Sequence, residues 1–102
     1  MEKENEPLTE SCFYILLCLY KGHNHGYGIM QQSAVMTKGR VKIGAGTMYG
    51  AFSNLRKKNY IIEHGEDDRR KSYALTDVGR EVLQKELERL KELVANAETI
   101  IN

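Results

Sequence analysis

Every residue from Cys12 to Tyr20 is apolar. Thr9 stands ahead of the run as an N-cap, with Pro7 just before it. Read as a helix, the run is apolar around its whole circumference, and such a helix is buried on every side. A chain of 102 residues, 41% of them apolar, has only a small core to offer it. A partner subunit is the easiest second wall, so the first helix predicts a dimer, with Phe13, Tyr14 and Leu17 in the contact. The run is far short of the ~20 residues that span a bilayer. Met1 to Pro7 are polar and mostly acidic, unlike a signal peptide. The expected compartment is the cytoplasm, with no membrane partner. Cys12 and Cys18 project from different sides of the helix and predict no internal disulfide.

After this helix, Lys21 to Gly26 reads as a turn, and a second helix runs from about Tyr27 to Met36 with Ile29, Met30 and Val35 as core positions. Arg40 to Ile43 alternates charged and apolar residues, as a short edge strand does. Gly44 to Thr47 introduces a third helix reaching about Lys58, and Asn59 closes it. Met48, Phe52 and Leu55 give that helix a single inner stripe. Tyr60 to His64 and Arg69 to Leu75 read as strands joined by a turn at Gly65 to Asp68. Thr76 then caps a long final helix with Asp77 in its first turn. There Leu83, Leu87, Leu90, Val94, Ala97 and Ile101 recur at alternating spacings of four and three. This is a coiled-coil-like seam and a second reason to expect a dimer. The predicted fold is mainly α with a small β-hairpin (α+β). It is a winged helix-turn-helix over residues 1–76, followed by a C-terminal dimerisation helix over residues 77–102.

The net charge of +1 conceals an uneven distribution: residues 1–20 carry −3, residues 21–76 carry +6 and residues 77–102 carry −2. A basic middle between acidic ends is the footprint of a polyanion-binding surface. With its stripe turned inward, the third helix presents Gly46, Thr47, Gly50, Ser53, Asn54 and Lys57 on the opposite face. These are small or hydrogen-bonding residues suited to close approach, and Asn can bond adenine bidentately. Thr47 lies at the amino end, where unpaired backbone N–H groups favour a phosphate. Gly50 costs the helix roughly 1 kcal/mol relative to Ala, a cost that close approach to DNA or tight helix packing would each justify. Arg69, Arg70 and Lys71 follow the turn as a clamp on the DNA backbone, while the acids Glu66 to Asp68 limit how deeply the tip enters a groove. Tyr27 and Tyr49 each offer either a hydroxyl to a phosphate or a ring to the core.

Three runs then make the chain resemble the PadR-like transcriptional regulators: His25-Gly26-Tyr27-Gly28-Ile29, Gly46-Thr47-Met48-Tyr49-Gly50-Ala51-Phe52, and Arg69-Arg70-Lys71-Ser72-Tyr73-Ala74-Leu75-Thr76-Asp77-Val78-Gly79. They stand in the family's order and spacing, and Leu8-Thr9 with the apolar first helix also fits. The resemblance implies a homodimeric repressor whose first and last helices interlock with those of the partner. Its recognition helices would address a pseudo-palindromic operator in double-stranded DNA. It carries DNA contact to Tyr27, Thr47, Tyr49 and the Arg69-Arg70 pair. The single long last helix is similar to the family's short branch. Ser72 and Ala74 depart from the aromatic and basic residues common there, and the chain has no Trp to stack a flat drug between subunits.

No enzyme is expected. His23, His25 and His64 are too few and scattered for a metal site, even with Cys12 and Cys18. Gly44-x-Gly46 lacks the third glycine of a dinucleotide loop. No cofactor is implied. An effector acting at the dimer interface near Cys12, Cys18 or Tyr14 would suit the apolar first helix. The alternative is a winged helix that docks protein without touching DNA; the basic middle with Ser53, Asn54 and Lys57 favours DNA.

Overall fold

The Thr9 hydroxyl accepts the Cys12 N–H at 3.1 Å and starts α1 (Glu10–Tyr20). The computed structural model describes residues 6–67 and 69–102. After α1 come β1 (Asn24–His25), α2 (Gly26–Met36), α3 (Ala45–Lys57), β2 (Ile61–Asp67), β3 (Arg70–Leu75) and α4 (Asp77–Ile101). The strands form one antiparallel sheet in the order β1-β3-β2. The architecture is the expected α+β winged helix.

Ile15, Leu16, Cys18 and Leu19 of α1 are buried at the centre of the molecule. Ile29 of α2, Met48, Phe52 and Leu55 of α3, Ile61, Tyr73 and Leu83 complete the same core. The inner stripe of α3 is therefore as the spacing predicts. Burial of α1 on every side is met on one side only within a single chain: Cys12, Phe13, Tyr14 and Leu17 are half-buried.

Three features differ from the sequence reading. The expected turn at Gly65 to Asp68 is strand as far as Asp67, because the backbone pairing of β2 with β3 runs out to Asp67 opposite Arg70, which moves the turn to Arg69. Arg40 to Ile43 is not a strand. Its alternation is genuine burial, with Ile43 in the core and Val41 packed against it. The segment is held instead by Val41 N–H donating to the Thr37 hydroxyl at 3.0 Å and Arg40 donating to Glu10 at 3.0 Å. The free edge of β3 goes to Asn24 and His25, opposite Tyr73 and Ser72, inside what reads as a turn. Val35 is 79% exposed rather than core. The buried face of α2 runs from Ile29 to Ser33, one turn on, and the Ser33 hydroxyl is satisfied locally by donating to the Met30 carbonyl at 3.2 Å.

The chain turns into α4 under tight constraint. The Thr76 hydroxyl accepts the Gly79 N–H at 2.9 Å and donates to the Asn59 carbonyl at 2.7 Å. Gly79 itself lies against the Tyr60 carbonyl, and the Leu75 side chain crowds the same position. One turn beyond Leu83, the carboxylate of Glu86 is buried. It accepts two hydrogen bonds from Arg89, at 2.9 and 2.7 Å, and the Leu8 N–H at 3.2 Å. The Arg89 guanidinium, and then the Leu8 N–H, hold its carboxyl below the usual carboxylate range, against the opposing effect of burial. The amino-terminal arm is thereby tied to α4 by a charge-assisted bond. Beyond Leu90 every residue of α4 is exposed.

A methyl group at position 79 has no room beside the Tyr60 carbonyl. Gly79→Ala is expected to lower stability by about 1–3 kcal/mol, the usual cost of overpacking, as read by urea unfolding. An unchanged midpoint would mean that α4 can shift freely on the core.

Candidate nucleic-acid interface

Because Met48, Phe52 and Leu55 fix which side of α3 faces the core, they also fix which side faces out. Gly46, Thr47, Tyr49, Gly50, Ser53, Asn54 and Lys57 are all exposed. The side chains of Thr47, Ser53, Asn54 and Lys57 have no hydrogen-bond or ion-pair partner among the described residues. A Cβ built at Gly44, Gly46 or Gly50 would meet nothing within 4 Å. Packing against the described residues of its own chain is therefore not the reason for Gly50. The N-cap of α3 is Gly44, which has no side chain to accept from the first turn. The first intrahelical bond is Met48 N–H to the Gly44 carbonyl at 2.9 Å, so the N–H groups of Ala45, Gly46 and Thr47 point outward unclaimed by the helix.

The hairpin of β2 and β3 is set against α3 by one aromatic joint: Tyr73, 7% exposed, stacks on Phe52 with ring centroids 4.3 Å apart. Strand register places Glu63 opposite Tyr73, with a bulge between Glu63 and Gly65. Arg69 turns the chain at the end of the hairpin with φ 67°. Arg70 lies over the Tyr27 ring at 5.3 Å, a cation–π contact linking the hairpin to α2. Between these elements runs a trough of about 640 Å³, walled by Tyr27, Met30, Tyr49 and Phe52 and bordered by Arg69, Arg70 and Lys71. Tyr27 and Tyr49 are 53% and 72% exposed, so neither belongs to the core. At the acidic tip, Asp68 and the side chains of Glu66 and Asp67 lie outside the described residues.

Of the residues expected on this surface, Tyr27, Tyr49, Arg69, Arg70 and Lys71 border the trough and Ser53 and Lys57 border a depression beside it, while Gly46, Thr47, Gly50 and Asn54 are exposed on α3 outside both. A surface of this kind can donate hydrogen bonds from backbone and side chains and offer cations in a row, the requirements of a phosphate backbone with base edges beneath it. Three participants escape the sequence reading. Arg56 is one turn beyond Phe52, the only signal for it, and reaches Glu63 at 3.4 Å. Glu63 also meets Lys71 at 3.5 Å. His25 caps α2, its Nδ1 accepting the Gly28 N–H at 3.1 Å.

The other two histidines are brought together rather than scattered. His23 and His64 stack at 3.9 Å, and His23 Nδ1 is 3.4 Å from the Ser72 hydroxyl. They bind the start of β1 to the hairpin. No cluster of three metal-ligating side chains occurs among the described residues. Nor is any described helix long and apolar enough to cross a membrane.

The expected dimer residues divide into two groups. Phe13, Tyr14 and Leu17 are half-buried on α1. On α4, Leu83 is already buried within its own chain, whereas Leu87, Val94, Ala97 and Ile101 are exposed and Leu90 is half-buried.

Gly50 is exposed on a helix with open space around it, so its replacement tests the surface directly. Gly50→Ala is expected to raise stability by about 1 kcal/mol, the helix-propensity difference, in thermal or urea unfolding. A loss of stability would mean that this face of α3 is covered.

The chain and its fold are similar to those of known proteins. The model of the transcriptional regulator PadR-like family matches residues 15–85. A transcriptional regulator from Clostridium thermocellum is similar in structure, with a TM-score of 0.81 and 27% identity over 90% of each chain. A PadR family transcription regulator from Clostridium difficile shares the fold, with a TM-score of 0.78 and 22% identity over 92% of this chain and 100% of that one. An uncharacterised 37.1 kDa protein of transposon TN4556 from Streptomyces fradiae is 33% identical over 79 residues, 76% of this chain. The chain spans only 22% of the length of that relative.

Proposed function

We propose a function from one premise: the chain belongs to the PadR-like family of transcriptional regulators, a family of regulators and not of enzymes. In this reading the protein acts as a homodimer on double-stranded DNA. Each protomer lays α3 in the major groove of one half of a pseudo-palindromic operator, and the outcome is repression in the cytoplasm. The observation that carries it is the outer face of α3: hydrogen-bonding residues without partners among the described residues, bare glycines, and wing cations alongside. Gly46 and Gly50 let the backbone approach the groove. Thr47, Ser53 and Asn54 address base edges or phosphates, and Lys57, Arg69, Arg70 and Lys71 neutralise the backbone. Tyr27 and Tyr49 offer hydroxyls to phosphates from the rim of the trough.

Dimerisation is supported by the outer half of α4. Leu93, Val94, Ile100 and Ile101 are each at least half exposed, an apolar surface that a single chain leaves in water. Residues 1–76 then carry the DNA surface and residues 77–102 the dimer surface. Leu83 anchors the seam to the core, and Leu87, Leu90, Val94, Ala97 and Ile101 run along it towards Phe13, Tyr14 and Leu17 of the partner subunit. An effector held between the subunits would meet Cys12 and Tyr14. It would not meet Cys18, which is 1% exposed and whose thiol burial pushes up, with nearby Lys21 acting in the opposite direction.

Fluorescence anisotropy with labelled duplex from directly upstream of the gene, against a scrambled duplex, tests this reading. Affinity about 10³-fold tighter for the upstream duplex at near-physiological salt is expected. Arg69→Ala with Arg70→Ala should weaken both duplexes alike and flatten the salt dependence by ~0.9 for each phosphate no longer neutralised. Equal weak binding to both duplexes would remove the claim of sequence-specific recognition. A change in sequence preference in the double variant would make the wing a base reader.

A further inference from the structure

Glu63 occupies a place where a DNA-binding surface has no evident use for an acid. Cross-strand partners project from the same face of a sheet, and Glu63 is the partner of Tyr73, the residue that stacks on the recognition helix. Its side chain therefore lies on the face turned to α3. There one oxygen, Oε2, is 3.4 Å from Arg56 Nη1 in the last turn of α3 and 3.5 Å from Lys71 Nζ on β3. Arg56 borders a second depression, of about 430 Å³, together with Tyr49, Ser53 and Lys57. Lys71 borders the larger trough. Both cations thus flank the path proposed for the DNA backbone, and one carboxylate holds them both.

All three side chains are close to half exposed or more. Exposed ion pairs of this kind contribute only ~0–1 kcal/mol to stability, so the trio is a weak brace for the fold. Its effect on the charge of the surface is larger in proportion. Two cations with one anion between them present a net +1, and a polyanion responds to that net charge.

We propose that Glu63 is a positioning residue for DNA binding. It holds Arg56 and Lys71 across the joint between recognition helix and wing, and it withholds one unit of positive charge from the phosphate backbone. Attraction to arbitrary sequence is thereby kept low, and tight binding is left to the fit of α3 with base edges. The proposal rests on the DNA-binding reading and deepens it.

Glu63→Gln removes the charge and keeps the shape. Wild type, Glu63→Gln and the double variant Glu63→Gln with Lys71→Gln are titrated on a scrambled and an upstream duplex of about 30 base pairs, at several salt concentrations, with circular dichroism melts to check folding. The single variant is expected to bind the scrambled duplex about three- to tenfold tighter at low salt. Its log K against log salt should be steeper by ~0.9, the equivalent of one further phosphate neutralised. The upstream-to-scrambled ratio should fall. The double variant restores the net +1 and should return to the wild-type slope. An unchanged slope in a folded Glu63→Gln protein, or weaker binding to both duplexes, overturns the proposal while leaving the DNA-binding reading intact. Failure of wild type itself to bind either duplex overturns both.

Discussion

The burial of α1 is the constraint on which the remaining structure depends. Ile15, Leu16, Cys18 and Leu19 form the floor against which α2, α3, the sheet and the first half of α4 are laid. Fully burying Ile15, Leu16 and Leu19 contributes ~1.5–3 kcal/mol each, a large share of the net stability of a small domain. Cutting that helix short or making one of its inner positions polar would therefore remove the common wall of every other element. Its outer positions, Cys12, Phe13, Tyr14 and Leu17, are left half-covered. The same apolar run that builds the core thus also leaves an apolar surface with further area to bury.

From that wall the candidate surface follows by geometry. The stripe Met48, Phe52 and Leu55 is one helical face wide, so docking it on α1 sets the rotation of α3 about its own axis and directs the glycines and polar residues outward. The Phe52–Tyr73 stack then sets the hairpin beside the helix, and the Arg70–Tyr27 contact ties the hairpin to α2. Cations and hydrogen-bond donors come to lie side by side because apolar contacts place them there. The region is basic, and Glu63 tempers it at the joint. At the other end, Gly79 and Glu86 fix the departure of α4. The direction in which a partner would be presented is set by contacts within one chain.

Much of this was legible in the residues because it depends on local spacing. The caps Thr9 and Thr76, the stripe of α3 and the hairpin all lie within a few residues of the signals that mark them. What escaped depends on partners distant in sequence. Arg40 to Ile43 has the alternation of a strand, but a strand also needs an edge to pair with, and the edge of β3 is taken by Asn24 and His25. Their pairing is made by backbone groups and leaves no side-chain pattern to read. Val35 looks like core by type, yet it sits six residues from Ile29 and so on another face, while Ser33, one turn on, is buried because its hydroxyl bonds back to its own helix. The buried carboxylate of Glu86 is held first by Arg89, three residues on, but it also accepts the N–H of Leu8, 78 positions away. The Glu63 trio likewise joins three elements. The exposed face of α3 was readable from its inner stripe: an outward face needs only the inward one to be known.

In the proposed dimer, α4 holds two copies of this chain so that two α3 helices meet one face of DNA together. Hydroxyl-radical footprinting on the duplex upstream of the gene reads this arrangement. Two protected patches are expected on one face of the duplex, about 10 base pairs apart or a multiple of that, related by a two-fold axis. A single isolated patch, or uniform cleavage at concentrations where the protein is bound, would contradict it.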